Sequence, residues 1–275
     1  MSGRVESERR GGALWLTLAR PEKLNALDAA MVAALDSALD EAAADDEARV
    51  VVLRGAGRAF SAGYDLGEAP PGPRSEGEWC AELARDLSLT LKLATLEKPT
   101  VACVHGWCLG GALDLVLACD LVVASDDARF GIPEIRYGSG PVTLLLPFAI
   151  GEKHANELIL TGDDVSAAEA HRLGLVNRVV PRERLEEETE RLVGRIAPTP
   201  LEALRLTKRS LLAAREAMGT MRAQAAHLPL SAALNALDTP EGREFDRIAA
   251  EQGLKAALAW RACAYAEPGK QADEG

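Results

Sequence analysis

The chain has 275 residues, 48% of them hydrophobic and 27% charged, which is ordinary for a globular protein and long enough to bury a large core. Its 31 basic against 42 acidic side chains leave a net charge of −11, which repels phosphate backbones and anionic lipid and argues against a nucleic-acid partner. Five cysteines, an odd number with no C-x-x-C pair, argue against a disulfide framework or a metal site and read as buried, reduced thiols.

Residues 1–11 are polar and charged, with no apolar signal core, and the longest apolar stretch is broken by Asp114 and Asp120. Neither a signal peptide nor a membrane span is predicted, and a cytoplasmic location is the expectation. Residues 13–19 and 49–55, rich in Leu and Val, read as strands. Between them Asp28 can cap a helix that carries Met31, Leu35 and Leu39 at core-facing spacing. Residues 67–78 hold Pro70, Pro71, Pro73 and three glycines and read as an irregular, mobile loop. Residues 101–105 and 121–124 are further strands, with an apolar helix read over 107–118 between them. Strand and helix alternating at this pitch predict an α/β layer structure. After Gly151 the pattern turns helical, apart from a strand at 175–180 that follows a capping box from Ser166 to Glu169. Thr199-Pro200 and Thr239-Pro240 each place a cap residue before a proline at the first helical position.

The chemistry concentrates in the middle of the chain. Residues 107–118 (WCLGGALDLVLA) carry one polar side chain, Asp114, and a carboxylate in a buried helix is either a paired structural group or opens onto a cavity. Gly110 and Gly111 stand at the start of that helix, where missing Cβ atoms admit a ligand to the backbone and free N–H groups favour negative charge. A second glycine-containing turn at 59–66 (AFSAGYDL) could present the Tyr64 N–H, or could be a plain strand-to-loop turn. Glu134, in residues 130–135 (FGIPEI), stands beside the rigid Pro133; it is either a surface loop residue or, with Asp114, half of a general base and acid pair. The four histidines show no ligand spacing and read as structural.

In this order the segments 20–27 (RPEKLNAL), 59–66, 98–106 (KPTVACVHG), 110–114 (GGALD) and 130–134 resemble the crotonase, or enoyl-CoA hydratase/isomerase, superfamily. The likeness continues through 158–162 (LILTG), 167–170 (AAEA) and 174–177 (GLVN), and covers roughly residues 4–261. It implies an α/β, ClpP-like spiral of ββα units over residues 1–195, followed by a helical trimerisation region over 196–275. It implies an acyl-CoA substrate with no separate cofactor, in a homotrimer or dimer of trimers. The backbone N–H groups of Tyr64 and Gly111 would form an oxyanion hole for the thioester carbonyl. Lys23, Leu24, Asn25, Ala26 and Leu27 would border the CoA, and Ala62, Tyr64, Asp65, Leu66, Gly67 and Gly110 would line its passage. Asp114 and Glu134 fall on the two positions that carry acid–base carboxylates in hydratases.

The chain departs from the family pattern at several points. Position 114 is Asp where hydratases carry Glu, although dienoyl-CoA isomerases of the family carry Asp there. The further downstream Asp of those isomerases is replaced by Val142, a common basic residue by Gly67, and the segment 138–151 is about one helical turn short and lacks Gly-Gly-Thr. Hydration of a 2-enoyl-CoA is the leading expectation and double-bond isomerisation the alternative. A non-catalytic or RNA-binding homologue ranks below both, because residues 182–195 mix both charge signs instead of forming a basic helix.

Overall fold

In the computed structural model, residues 4–68 and 74–265 are described. Nine strands and eleven α-helices alternate among them. The strands are β1 (Val5–Arg10), β2 (Ala13–Leu18), β3 (Val50–Gly55), β4 (Thr100–Val104), β5 (Trp107–Leu109), β6 (Leu121–Ser125), β7 (Arg129–Gly131), β8 (Asp164–Ser166) and β9 (Arg178–Val180). The helices are α1 (Ala29–Ala44), α2 (Glu76–Thr95), α3 (Gly111–Ala118), α4 (Leu146–Ile150), α5 (Glu152–Thr161) and α6 (Ala167–Leu173). Then follow α7 (Leu185–Ile196), α8 (Leu201–Ala217), α9 (Thr220–Asn235), α10 (Pro240–Gln252) and α11 (Leu254–Cys263).

A six-stranded sheet runs in the order β1-β2-β3-β4-β6-β9, parallel except for the β1–β2 hairpin. Strands β5 and β7 leave it after β4 and β6, pair with each other, and gain β8 as an antiparallel edge. The strand period divides the apolar side chains between two cores. Leu14, Leu16, Leu18, Val51, Leu53, Ala102 and Val104 pack on one side with Met31, Leu35 and Leu39 of α1 and with α3. Trp15, Val50, Val52, Val101, Cys103 and Val123 pack on the other side under Leu185, Leu192 and Val193 of α7. Each fully buried Leu or Val contributes about 1.5–3 kcal/mol, so burial on both faces is what holds the parallel strands.

Several local expectations need correction. The apolar run 107–118 is not one helix: β5 pairs with β7, Gly110 turns the chain at φ +56°, and α3 spans only eight residues. The strand expected at 175–180 shrinks to β9, because Leu175 and Val176 close a turn back onto the Ala170 carbonyl. Thr199 does not cap α8, whose first residue is Leu201 with Pro200 before it, whereas Thr239 does accept from the Gly242 N–H. Ser166 accepts from the Glu169 N–H, but the Glu169 carboxylate turns to Arg172, so that box is half formed. A complete box stands instead at Ser75 and Glu78 and starts α2 inside the expected loop. Pro70, Pro71, Gly72 and Pro73 of that loop lie outside the described residues. No helix among the described residues is long and apolar enough to cross a membrane.

Candidate active site

Three turns, following β2, β3 and β4, meet on one side of the sheet. The first, 20–27, holds two successive non-glycine residues in the left-handed region, Leu24 at φ 52° and Asn25 at φ 54°. Their cost is offset by the buried Asn25 side chain, which accepts from the Arg20 N–H (2.9 Å) and donates to the carbonyls of Ala56, Ala59 and Phe60. Asn25 therefore shapes the turn, and its side chain is not free to meet a ligand. The turn is stitched to the second by Ala62 N–H to Leu24 O (3.0 Å), Leu27 N–H to Gly63 O (2.8 Å) and Asp65 N–H to Leu27 O (3.1 Å). The second is stitched to the third by Ser61 N–H to Trp107 O (3.0 Å) and Leu109 N–H to Ser61 O (3.2 Å). Gly110 N–H then donates to Gly131 O (2.9 Å), which anchors the start of α3 to the end of β7.

The bridge between Leu27 and Tyr64 uses the amides on either side of Tyr64, so the Tyr64 N–H points away from it. Gly111 is the first residue of α3, and its N–H has no intrahelical partner. Among the described residues neither N–H donates to a protein acceptor. The two turns touch: a Cβ on Gly63 would lie 3.4 Å from Gly111 N, and one on Gly111 would lie 2.2 Å from the Tyr64 ring. Only glycine at 111 admits that ring. Asp65 is tied to Arg20 at 2.5 Å and accepts from the Gly67 N–H, while Lys23, Leu66 and Gly67 are exposed at the rim. Ala26 and Leu27 are buried beneath the turn.

The two candidate carboxylates converge from different elements. Asp114 is 1% exposed on the first turn of α3; its Oδ1 accepts from the Thr143 hydroxyl and its Oδ2 has no partner. Burial raises its pKa to about 7, against the pull of the Thr143 hydroxyl and the Thr143 and Val142 amides. Glu134 stands in the 3-10 turn Pro133–Tyr137, and its Oε2 is buried without a partner. Its carboxyl lies against Gly110, where a Cβ would fall 2.2 Å from Oε1. Burial lifts its pKa to about 8, its own amide opposes this, and the charge on Asp114 adds to it. Asp114 has no ion pair among the described residues, and its side-chain partner is the Thr143 hydroxyl. Two acids, each with a buried unpartnered oxygen and a pKa raised by burial, beside two unused N–H groups can relay protons to a carbon next to a polarised carbonyl.

Three features of this region were not read from the sequence. Thr143 is the first, in the segment expected to line an acyl pocket. The second is the polar row on α9 that grips that segment: Gln224 accepts from Leu144 N–H (2.9 Å), His227 Nε2 meets Pro141 O (2.8 Å), and Asn235 accepts from the Ser139 hydroxyl (2.7 Å). The spacing of Gln224, His227, Ser231 and Asn235 by three or four residues was a visible signal of one polar face. The third is Asp86 on α2, a carboxylate on an otherwise buried stripe.

Comparison with known proteins agrees with this geometry. The family model described as enoyl-CoA hydratase/isomerase matches residues 8–244. A Rhizobium meliloti protein named "Probable enoyl-CoA hydratase" is 40% identical over 210 residues, covering 75% of this chain and 79% of the relative. The crystal structure of an enoyl-CoA hydratase/isomerase from Xanthobacter autotrophicus Py2 superposes with a TM-score of 0.93 at 38% identity, over 97% of this chain and 100% of that one. An enoyl-CoA hydratase structure from Mycobacterium smegmatis gives a TM-score of 0.87 at 29% identity, over 94% of this chain and 93% of that one. With the crotonase fold, the conjunction of turns and the family match in hand, the chain belongs to the enoyl-CoA hydratase/isomerase family.

Proposed function

We propose that the protein adds water across the 2,3 double bond of an acyl-CoA thioester. The observation that carries this reading is the pair of buried, unpartnered oxygens, Asp114 Oδ2 and Glu134 Oε2, beside the unused N–H groups of Tyr64 and Gly111. The N–H groups accept the thioester oxygen as it gains charge in the enolate-like transition state. Asp114, ionised, takes a proton from water as it attacks Cβ. Glu134, protonated, delivers a proton to Cα. The Leu24 and Asp65–Gly67 rim receives the CoA, which arrives as part of the substrate, and no separate cofactor is required.

The names of the relatives support hydration over isomerisation. Purified protein mixed with crotonyl-CoA and a longer 2-enoyl-CoA should consume the conjugated thioester and yield the 3-hydroxyacyl-CoA. Double-bond migration without water uptake would replace the reading with isomerisation. We also propose a homotrimer or dimer of trimers. Leu206, Leu211, Met218, Leu230 and Leu237 on and beside α8 and α9 are all at least 60% exposed, an apolar cost that self-association would relieve. Light scattering at micromolar concentration should give a particle of at least three chains, and a monomer would refute the assembly.

A further inference from the structure

Helix α2 buries Leu83, Leu87, Thr90 and Leu93, and Asp86 stands in the middle of the stripe they form, at spacings of three, one, four and seven residues. A residue in that phase points toward the protein interior. Asp86 is nevertheless half-buried instead of sealed, so solvent reaches it. The side chains packed around its stripe are identifiable. Leu83 and Leu87 pack with Val142 and Ala232, and Tyr64 packs against the same group. Val142 adjoins Thr143, the hydroxyl donor to Asp114. The stripe of α2 thus lies on the acyl side of the candidate site.

Among the described residues the Asp86 carboxylate takes no ion pair and no hydrogen bond. Its neighbour one turn earlier differs: Glu82 is held at 2.7 Å by Arg74, whose guanidinium also stacks over Trp79 at 4.0 Å. The two acids are therefore unequal, and only Asp86 is left for a group that the chain does not supply. Its charge acts on both Tyr64 and Asp114, which agrees with its position beside them. A plain alkyl tail against Asp86 would leave the carboxyl without a partner in an apolar wall. A carboxylate tail would meet Asp86 and Asp114 with like charge.

We propose that Asp86 reads the distal part of the acyl group, and that the preferred substrates carry a hydroxyl there and neither a bare alkyl end nor a carboxylate. This rests on the enoyl-CoA reading for the identity of the ligand, and it deepens that reading by naming the tail. A site that hydrogen-bonds a substrate hydroxyl discriminates strongly against the analogue that lacks it.

The test compares 2-hexenoyl-CoA, the same thioester carrying one hydroxyl at C4, C5 or C6, and the analogue with a terminal carboxylate. The wild-type protein should favour at least one hydroxylated member by about tenfold or more in kcat/KM, with the carboxylate the poorest. Asp86→Leu fits the apolar stripe and should fold; it should abolish that preference and raise kcat/KM for the plain chain, while Asp86→Asn retains part of the preference. A wild-type preference for the plain chain throughout, or an equal loss on all substrates in Asp86→Leu, would overturn the proposal. Calorimetric binding of saturated hexanoyl-CoA and its hydroxylated counterparts separates this from the reaction assignment. Tighter binding of a hydroxylated thioester that disappears in Asp86→Leu upholds Asp86 even if no member of the series is hydrated. Equal binding in both proteins refutes it.

Discussion

Asp114→Asn should stabilise the protein and silence it. The carboxyl titrates ordinarily at 3.8 and is raised to about 7 by burial. Between those two values the unfolded chain binds fewer protons than the folded one, so the contribution of this group is full below about pH 4 and is lost as pH rises through about 7. Fully expressed, the difference is about 4 kcal/mol, since one pKa unit is about 1.4 kcal/mol. The amide carries no charge and keeps an oxygen for the Thr143 hydroxyl, so the variant avoids that loss. Relative to wild type, its unfolding free energy should grow by about 3 kcal/mol from pH 5 to pH 8. Urea melts of both proteins at the two pH values measure this directly. Turnover of a 2-enoyl-CoA should fall by about 10²-fold or more, because the amide cannot take a proton from water. The reasoning fails if the variant loses ground to wild type as pH rises, which would mean that Asp114 is held as an ion in the fold. Full activity in the variant would remove Asp114 from the mechanism.

Three further outcomes are expected. The pH profile of kcat/KM should be bell-shaped, with the carboxylate pair titrating near the about 7 and about 8 raised by burial; Glu134→Gln should abolish the alkaline limb and cost about 10²-fold in turnover, and an unchanged profile would dismiss Glu134 as the acid. Gly110→Ala should stay folded at a cost of up to about 3 kcal/mol for its positive φ and negative ψ, yet lose about 10²-fold in kcat as the new methyl displaces the Glu134 carboxyl, measured by melting and by steady-state kinetics. Thr143→Val removes a hydrogen bond that favours the ionised form of Asp114, so the acidic limb should move to higher pH; a uniform loss of rate with no such move would assign Thr143 a packing role.

The candidate site was legible because its parts are local in sequence. The Gly-Gly start of α3, the lone Asp114 three residues on, and Pro133 beside Glu134 are short-range patterns with short-range physics. The strand cores were legible for the same reason: 13–19, 49–55 and 101–105 are apolar on both faces, and all three are strands to within a residue. The edges were not. Strand β1 is built from VESERR, exposed in its four central residues, and exists because the β2 backbone pairs with it. Strands β5, β7, β8 and β9 have three residues each, too few to show a period. The break at Gly110 hides inside an apolar run because pairing between β5 and β7 is a tertiary event. Thr143 and the row on α9 lie 29 and more than 100 residues from Asp114 in the chain, and nothing local announces the contact. Asp86 was the exception, since its place among Leu83, Leu87 and Thr90 was open to a helical-phase reading.

The grip of Gln224, His227 and Asn235 on residues 139–144 ties the surroundings of Asp114, the proposed base, to the part of the chain expected to serve assembly. A lateral movement of α9 passes through one short segment to the hydroxyl that steadies Asp114. The helical region is thus a brace for Asp114 as well as the proposed surface for neighbours, and local opening of those helices should release the Thr143 hydroxyl from Asp114 while the central sheet stays intact. Inactivation by mild heat or dilution then reports on the brace, and loss of the sheet on the fold as a whole.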